Sequence, residues 1–336
     1  MKVMNNKYIS KRIWLDKDKR GLEDWRNLME KAGLQTGETL DYTVGIYDDK
    51  RLIATGSFAE NIIKCVAVCK DYQAENLLTQ VLTALIEKMN ENGYYHYFLY
   101  TKPEKENVFR SLGFKKIVTN DDVLFMEQGP DDFSSYLQHL QDNKKAGQGA
   151  GIVMNANPFT KGHQYLVEYA AQKNDQVYVF VLSEDHSEFS TKDRVKMVEA
   201  GVSHLSNVTV FPTRKYLVSQ ATFPAYFLKD KAELTVARTQ ARLDAQIFKE
   251  KIAPVLEINV RYVGEEPYSK VTEVYNKAMK EVFSDDLTLV ILPRKEVNGS
   301  VISATKVRKA IAEQNETLLL DFLPKTTYDY LEKNFR

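Results

Sequence analysis

From Gly151 onward, short apolar runs alternate with segments of helical period, and this alternation restricts the fold more than any other feature of the chain. Gly151–Met154, Val177–Leu182, Val208–Phe211, Val260–Val263 and Leu287–Leu292 read as strands. Gln164–Gln172, Thr191–Leu205, Thr239–Ile252, Val271–Phe283 and Ser303–Glu313 read as helices. Ser190 or Thr191 caps the second helix, with Asp193 in its first turn, and the third ends before Pro254. Strands joined through helices return to the same end of the sheet and so run parallel. The predicted fold class is α/β, with a doubly wound, Rossmann-like parallel sheet in the C-terminal part. Ligands of such sheets bind beyond the carboxyl ends of the strands.

The N-terminal part follows a different pattern, α+β. Tyr42–Tyr47, Leu52–Phe58 and Ile62–Val68 read as consecutive antiparallel strands, with Asp48–Arg51 as the first turn. A helix over Ala74–Asn90 follows and stops at Asn92-Gly93. Strand Tyr95–Tyr100, helix Glu104–Leu112 and strand Phe114–Val118 complete it. The amphipathic segment Asp132–Leu140 leads into Asp142–Gly149 (DNKKAGQG), a polar stretch without large apolar residues. The expected division is therefore a domain over 1–141, a linker over 142–149 and a domain over 150–336. A length of 336 residues suits roughly two domains.

Lys+Arg and Asp+Glu both number 46, so the basic excess that grips nucleic acid is absent and no nucleic-acid partner is expected. No apolar run reaches the ~20 residues of a membrane span, and Met1–Ser10 has no apolar signal core. The expectation is a cytoplasmic protein without a membrane partner. Cys65 and Cys69 are assigned to one face of the strand near Ile62–Val68, as buried thiols of a reducing compartment. Two thiols cannot complete a four-ligand zinc site, and no metal-ligating cluster is read from the sequence.

The first strand of the C-terminal part empties into Met154-Asn155-Ala156-Asn157-Pro158-Phe159-Thr160-Lys161-Gly162-His163, and a helix follows. Gly162 at the helix start lets backbone N–H groups approach an anion, and the helix dipole adds a fixed positive end. His163 can donate to a phosphate oxygen, and Thr160 adds a hydroxyl. After the last strand, Ile302-Ser303-Ala304-Thr305-Lys306-Val307-Arg308 opens the final predicted helix. Its amides and hydroxyls, with Lys306 and Arg308, form a second anion cradle suited to β- and γ-phosphates. The candidate catalytic residues are His163, Thr160 and Arg308. The candidate nucleotide-binding residues are Met154, Asn155, Ala156, Asn157, Pro158, Phe159, Gly162, Gly264, Glu265, Glu266, Ile302, Ser303, Ala304 and Thr305. Glu265 and Glu266 follow a predicted strand, where they would meet ribose, adenine or a metal ion, or form a solvated turn. Arg194, Arg214, Arg238, Arg242 and Arg294 are further phosphate clamps or surface charges. His96, His139, His186 and His204 show no partner pattern and read as structural.

The T-x-G-H loop and the S-x-T-x-x-R helix resemble the HxGH nucleotidyltransferase superfamily over the whole second part. The resemblance implies ATP with Mg²⁺, attack at the α-phosphate and loss of pyrophosphate. Small adenylyltransferases read Gly-(Thr/Ser)-Phe-Asp-Pro where this chain reads Met154-Asn155-Ala156-Asn157-Pro158, which argues against a plain mononucleotide acceptor. The fuller set of IVMNANPFTKGH, RTQARLD (Arg238–Asp244), YVGEEPY (Tyr262–Tyr268) and ISATKVR resembles the citrate lyase ligase family. That resemblance implies ATP, acetate and the citrate lyase acyl carrier subunit as partners. It further implies that acetyl-adenylate forms first and that the acetyl group then passes to the thiol of the carrier's phosphoribosyl-dephospho-CoA arm. The alternatives are an adenylyltransferase acting on pantetheine phosphate or a mononucleotide, a tRNA-modifying acetate ligase, or a non-catalytic nucleotide sensor.

The first part, ending Asn107-Val108-Phe109-Arg110-Ser111-Leu112-Gly113-Phe114, resembles the Gcn5-related N-acetyltransferases. Their pyrophosphate loop typically reads (Arg/Gln)-x-x-Gly-x-(Gly/Ala), whereas Gln73-Ala74-Glu75-Asn76-Leu77-Leu78 fills both small positions. A working acetyltransferase is not expected. Two roles stay open for it: recognition of the CoA-like arm or its carrier, or support of the second part alone.

Overall fold

The computed structural model describes residues 8–37, 39–73, 75–183, 187–217, 233–265 and 270–335. They fall into two compact units: those up to Tyr136 together with 233–239, and 137–217 together with those from Gln240 onward.

The first unit is α+β. In chain order it runs β1 (Ile9–Arg12), α1 (Lys19–Lys31), β2 (Tyr42–Asp48), β3 (Arg51–Ala59), β4 (Ile62–Val68), α2 (Leu77–Glu91), β5 (Tyr97–Thr101), α3 (Glu106–Ser111), β6 (Lys115–Thr119) and β7 (Leu124–Gln128). These strands form one seven-stranded sheet in the order β1-β2-β3-β4-β5-β7-β6. All neighbours pair antiparallel except β4 and β5, which run parallel and pair only at Ile62–Phe98 and Ile63–Leu99. Leu77, Val81, Leu82, Leu85 and Met89 recur at helical spacing on α2 and are its buried residues.

Two expectations for this unit change. The helix expected from Ala74 is described from Leu77, because Lys70–Tyr72 first close a tight 3₁₀ turn; Ala74 lies outside the described residues. Cys65 is buried, but Cys69 lies just beyond the strand, half-buried, and its sulfur accepts a hydrogen bond from Arg51 Nη2 at 3.2 Å. A bulge in the β3–β4 ladder, with Cys65 at φ +54°, breaks the alternation that would have put both thiols on one face.

α4 (Phe133–Asp142) leads into the second unit. There follow β8 (Gly149–Met154), α5 (Lys161–Lys173), β9 (Gln176–Val181), α6 (Thr191–Val202), β10 (Val208–Pro212), α7 (Glu233–Ile247), α8 (Ala253–Val255), β11 (Ile258–Gly264), α9 (Lys270–Phe283) and β12 (Thr288–Leu292). The hairpin β13 (Glu296–Val297) and β14 (Ser300–Val301) then precedes α10 (Ala304–Ala312), α11 (Glu316–Phe322) and α12 (Lys325–Phe335). Five parallel strands stand in the order β10-β9-β8-β11-β12. This is the doubly wound parallel sheet read from the alternation. Strand order reverses between β8 and β11, which makes the carboxyl ends of those two strands the topological switch point.

The helix expected to stop before Pro254 does not stop there. α7 passes into a π-helical turn at Phe248–Ile252, and Pro254 sits in the first turn of α8, where its missing N–H costs no hydrogen bond. Val177, Val179, Val181, Ile152, Met154 and Val260 build the core with Leu166, Val167 and Ala170 of α5. Among the described residues, no helix is long and apolar enough to cross a membrane.

Candidate nucleotide site

At the switch point lies a cleft of about 930 Å³. Its walls come from the ends of β8, β11 and β12 and from the N-termini of α5 and α10. Of the sequence-predicted residues, Met154, Asn155, Ala156, Asn157, Thr160, Gly162, His163, Gly264, Glu265, Ile302, Ser303, Ala304, Thr305 and Arg308 line it. Phe159 is fully buried and outside that lining, with its ring so close to the helix glycine Gly201 that a Cβ there would clash with it. Glu266 and His186 fall outside the described residues.

The T-x-G-H sequence is a capping box. Thr160 is the N-cap of α5, and its Oγ1 accepts from His163 N–H at 3.4 Å. Thr160 N–H donates to His163 Nδ1 at 3.1 Å, and Thr160 Oγ1 lies 3.0 Å from the same nitrogen. Because Nδ1 accepts, a neutral ring carries its proton on Nε2. Among the described residues no protein group takes that proton, so Nε2–H is free to donate within the cleft. Withdrawal from water, then the positive charge of Arg294, lowers the His163 pKa from 6.5 to about 4. The ring is thus a neutral donor at physiological pH.

That shift fixes a pH dependence. Above pH 6.5 the imidazole is neutral in both the folded and unfolded chain, and its contribution to stability is complete. As the pH falls from 6.5 through about 4, the unfolded chain binds the proton first and stability is lost. The expected rate profile for His163-dependent chemistry shows no inflection near 6.5 and an acid limb near 4. Rates measured across that range in wild type and the His163→Gln variant check it; a wild-type limb near 6.5 that the variant lacks contradicts it.

The loop between β8 and α5 is held by residues whose roles the sequence did not reveal. Ala156 is 1% exposed and sits at φ +49°, a left-handed conformation uncommon outside glycine. Arg194 of α6 is fully buried, so it is neither the phosphate clamp nor the surface charge of the sequence reading. It donates to Asn155 O at 2.8 Å, Asn155 Oδ1 at 2.7 Å, Leu182 O at 2.6 Å, Phe189 O at 3.0 Å and Thr191 Oγ1 at 3.1 Å. Asn157 Oδ1 accepts from Phe189 N–H at 3.2 Å. A buried arginine three residues into a capped helix carries no sequence signal separating it from a surface one.

The second cradle faces the first. A Cβ on Gly162 would meet Ile302 Cγ2 and Thr160 Oγ1 at 3.5 Å, which is ordinary contact. The protein alone therefore has room for alanine there. Arg308 Nη1 donates to Asn157 O at 2.7 Å and Nη2 to Thr305 Oγ1 at 3.1 Å, bracing α10 against the β8 loop. Lys306 Nζ is held by Ser300 Oγ at 2.8 Å and Val301 O at 3.2 Å. Ser303, the N-cap of α10, makes no side-chain cap hydrogen bond, leaving its hydroxyl and the first amides of the helix to a ligand. Arg294 donates from Nε to Glu265 O at 2.8 Å and lines the cleft, as does the exposed Glu265. Arg214 and Arg238 are exposed, and Arg242 is half-buried. His96 pairs with Glu127 at 2.8 Å, His204 with Glu168 at 3.1 Å, and His139 stands edge-on to Phe211.

The parallel sheet with two helix N-termini at its switch point makes the second unit a doubly wound α/β domain whose cleft suits a phosphate-bearing ligand. The family model for the citrate lyase ligase C-terminal domain matches residues 149–331. The [citrate [pro-3S]-lyase] ligase of Klebsiella pneumoniae is 36% identical over 330 residues, 96% of each chain. That of Haemophilus influenzae is 36% identical over 317 residues, 92% of this chain and 94% of its own. The chain belongs to the citrate lyase ligase family. The ribosomal-protein-S18-alanine N-acetyltransferase of Escherichia coli also resembles it in structure, at 14% identity and a TM-score of 0.30, over 36% of this chain and 93% of its own.

Proposed function

We propose that the chain is an ATP-dependent acetate ligase that forms acetyl-adenylate and acetylates the thiol of the phosphoribosyl-dephospho-CoA arm on the citrate lyase acyl carrier subunit. AMP and pyrophosphate are released. One observation carries the reading beyond family membership: a neutral His163 Nε2–H and the open N-terminus of α10 line one cleft. In the adenylation step an acetate oxygen attacks the α-phosphorus and the bond to the bridging oxygen of pyrophosphate breaks. Acetate is already ionised at neutral pH, so the attack needs no strong base. His163 donates to an α-phosphate oxygen, where charge gathers in the transition state. Ser303, Thr305 and the first amides of α10 hold the departing phosphates. Arg308 positions the two cradles against each other. In the transfer step the arm's thiolate attacks the acetyl carbonyl carbon and AMP leaves.

Mg²⁺ is the expected companion of ATP. It keeps several waters and typically takes one or two carboxylates plus substrate phosphates. The exposed Glu265 on the cleft lining fits that donor set and would hold the ion, which neutralises charge on the leaving group. The first unit is assigned to recognition of the arm or its carrier. Acetyl-CoA chemistry is disfavoured there because larger side chains fill the two small positions of the pyrophosphate loop.

Transfer of acetyl from [¹⁴C]acetate to the deacetylated carrier, dependent on ATP and on this chain, is the expected result. Failure of transfer while acetyl-adenylate accumulates would contradict the thiol acceptor. Gly162→Ala gives a separate test of the cradle. Its contacts are tolerable, so the expected melting temperature is close to wild type, whereas KM for ATP rises by about tenfold, the loss of roughly one phosphate hydrogen bond. An unchanged KM would remove Gly162 from the phosphate site.

A further inference from the structure

The cleft reaches an arginine that the nucleotide reading leaves unused. Arg261 lies on β11 in register with Gly151 of β8, 6% exposed, and lines the cleft beside Asp244, Tyr275, Asn276 and Met279. Its guanidinium stacks over Phe248 at 4.5 Å and stands 5.8 Å from the centre of Phe283. Its Nε and Nη1 are buried and meet no hydrogen-bond partner among the described residues. Asp244 acts on Arg261 through its charge but accepts no hydrogen bond from Nε or Nη1; Tyr275 OH donates to Asp244 Oδ2 at 2.7 Å, and Gln240 Nε2 donates to Tyr275 OH at 2.8 Å. Burial lowers the Arg261 pKa from 12.5 to about 10, against the raising influence of Asp244 and Tyr275, so the group stays charged at neutral pH.

A buried guanidinium with idle N–H groups is costly unless something pairs with it. Two aromatic faces offset part of that cost without using the in-plane donors. The guanidinium holds its donors in one plane, and the natural complement of such a group is a carboxylate. The phosphates have their own cradles at the N-termini of α5 and α10, and adenine carries no charge to match. The apolar lining of Val263, Leu217 and Met279 suits a short alkyl group. At about 930 Å³ the cleft stands near the upper end of the ~300–1,000 Å³ range of ligand pockets, room enough for a nucleotide and a second, small substrate.

We propose that Arg261 forms the carboxylate subsite for the short acid that is activated, holding its carboxylate at the floor of the cleft with the alkyl group against Met279 and Val263. This rests on the ligase reading and names the group that selects its second substrate. Arg261 is a binding residue for the acid and leaves the nucleotide to the two helix N-termini.

The test is ATP–pyrophosphate exchange by the full-length Arg261→Met and Arg261→Gln variants, with acetate and ATP varied separately. Methionine keeps the stem that packs on Phe248, and glutamine is the second variant should methionine fail to fold. The expected result is a rise in KM for acetate of about 10–10²-fold, the loss of charged hydrogen bonds, with KM for ATP within about twofold of wild type. In addition, acetate without ATP is expected to raise the melting temperature of wild type and not of the variants. Added guanidinium is expected to recover part of the exchange in Arg261→Ala. An unchanged KM for acetate in a folded variant, with wild-type exchange still acetate-dependent, overturns the subsite alone. Wild-type exchange that ignores acetate overturns the ligase reading and the subsite with it.

Discussion

Replacing His163 by alanine is expected to lower acetate-dependent ATP–pyrophosphate exchange by about 10²–10³, the usual cost of removing one preorganised donor at developing charge. The change is in the chemical step, so kcat falls while KM for ATP moves little. His163 also accepts from Thr160 N–H, so the alanine variant loses half of a capping box. That loss is worth about 0.5–2 kcal/mol of stability and is corrected by comparing melting temperatures. Asparagine and glutamine can each donate an N–H, and the better placed of the two is expected to recover part of the rate. Exchange within a fewfold of wild type in a folded His163→Ala chain would remove the histidine from the reaction.

The second large effect lies outside the cleft. Arg194→Met is expected to destabilise the chain by about 3–5 kcal/mol. The carbonyls of Asn155, Leu182 and Phe189 lose a charged donor inside the protein, each at a cost of about 1–3 kcal/mol that is not strictly additive. The melting temperature falls by roughly 10 °C, at about 2–4 °C per kcal/mol for a unit of this size. Exchange is expected to fall with it even well below the transition, because Asn155 and the left-handed Ala156 are no longer held at the cleft wall. Arg194→Lys keeps the charge but not the fork, and is expected to recover only a minor part. A variant with wild-type melting and wild-type exchange would show that the loop is fixed by other contacts.

The sheet of the second unit was legible because each of its strands is an apolar run bounded by helical segments, and only a parallel arrangement accommodates that. The helix starts that line the cleft were legible for a local reason, since Gly162 and Ser303 stand at the N-terminal ends of helices that follow strands. Tertiary contacts decided what could not be read. Arg194 and Arg261 have ordinary neighbours in sequence, and only packing reveals that one anchors a loop and the other waits at a cleft floor. β7 and α12 escaped notice because LFMEQ is short and Lys325–Phe335 is largely polar, so neither carries a strong period. Pro254 misled for a physical reason: a proline stops a helix only where its missing N–H would have been bonded, and the π-turn before it removes that requirement.

Whether this cleft joins ATP to acetate is decided by ATP–pyrophosphate exchange with the purified chain, run with and without acetate. Exchange that appears only with acetate is the predicted result and establishes an acyl-adenylate. Exchange that ignores acetate and instead requires the adenylylated product of pantetheine phosphate or of a mononucleotide would contradict it and assign the cleft to nucleotidyl transfer onto a phosphate.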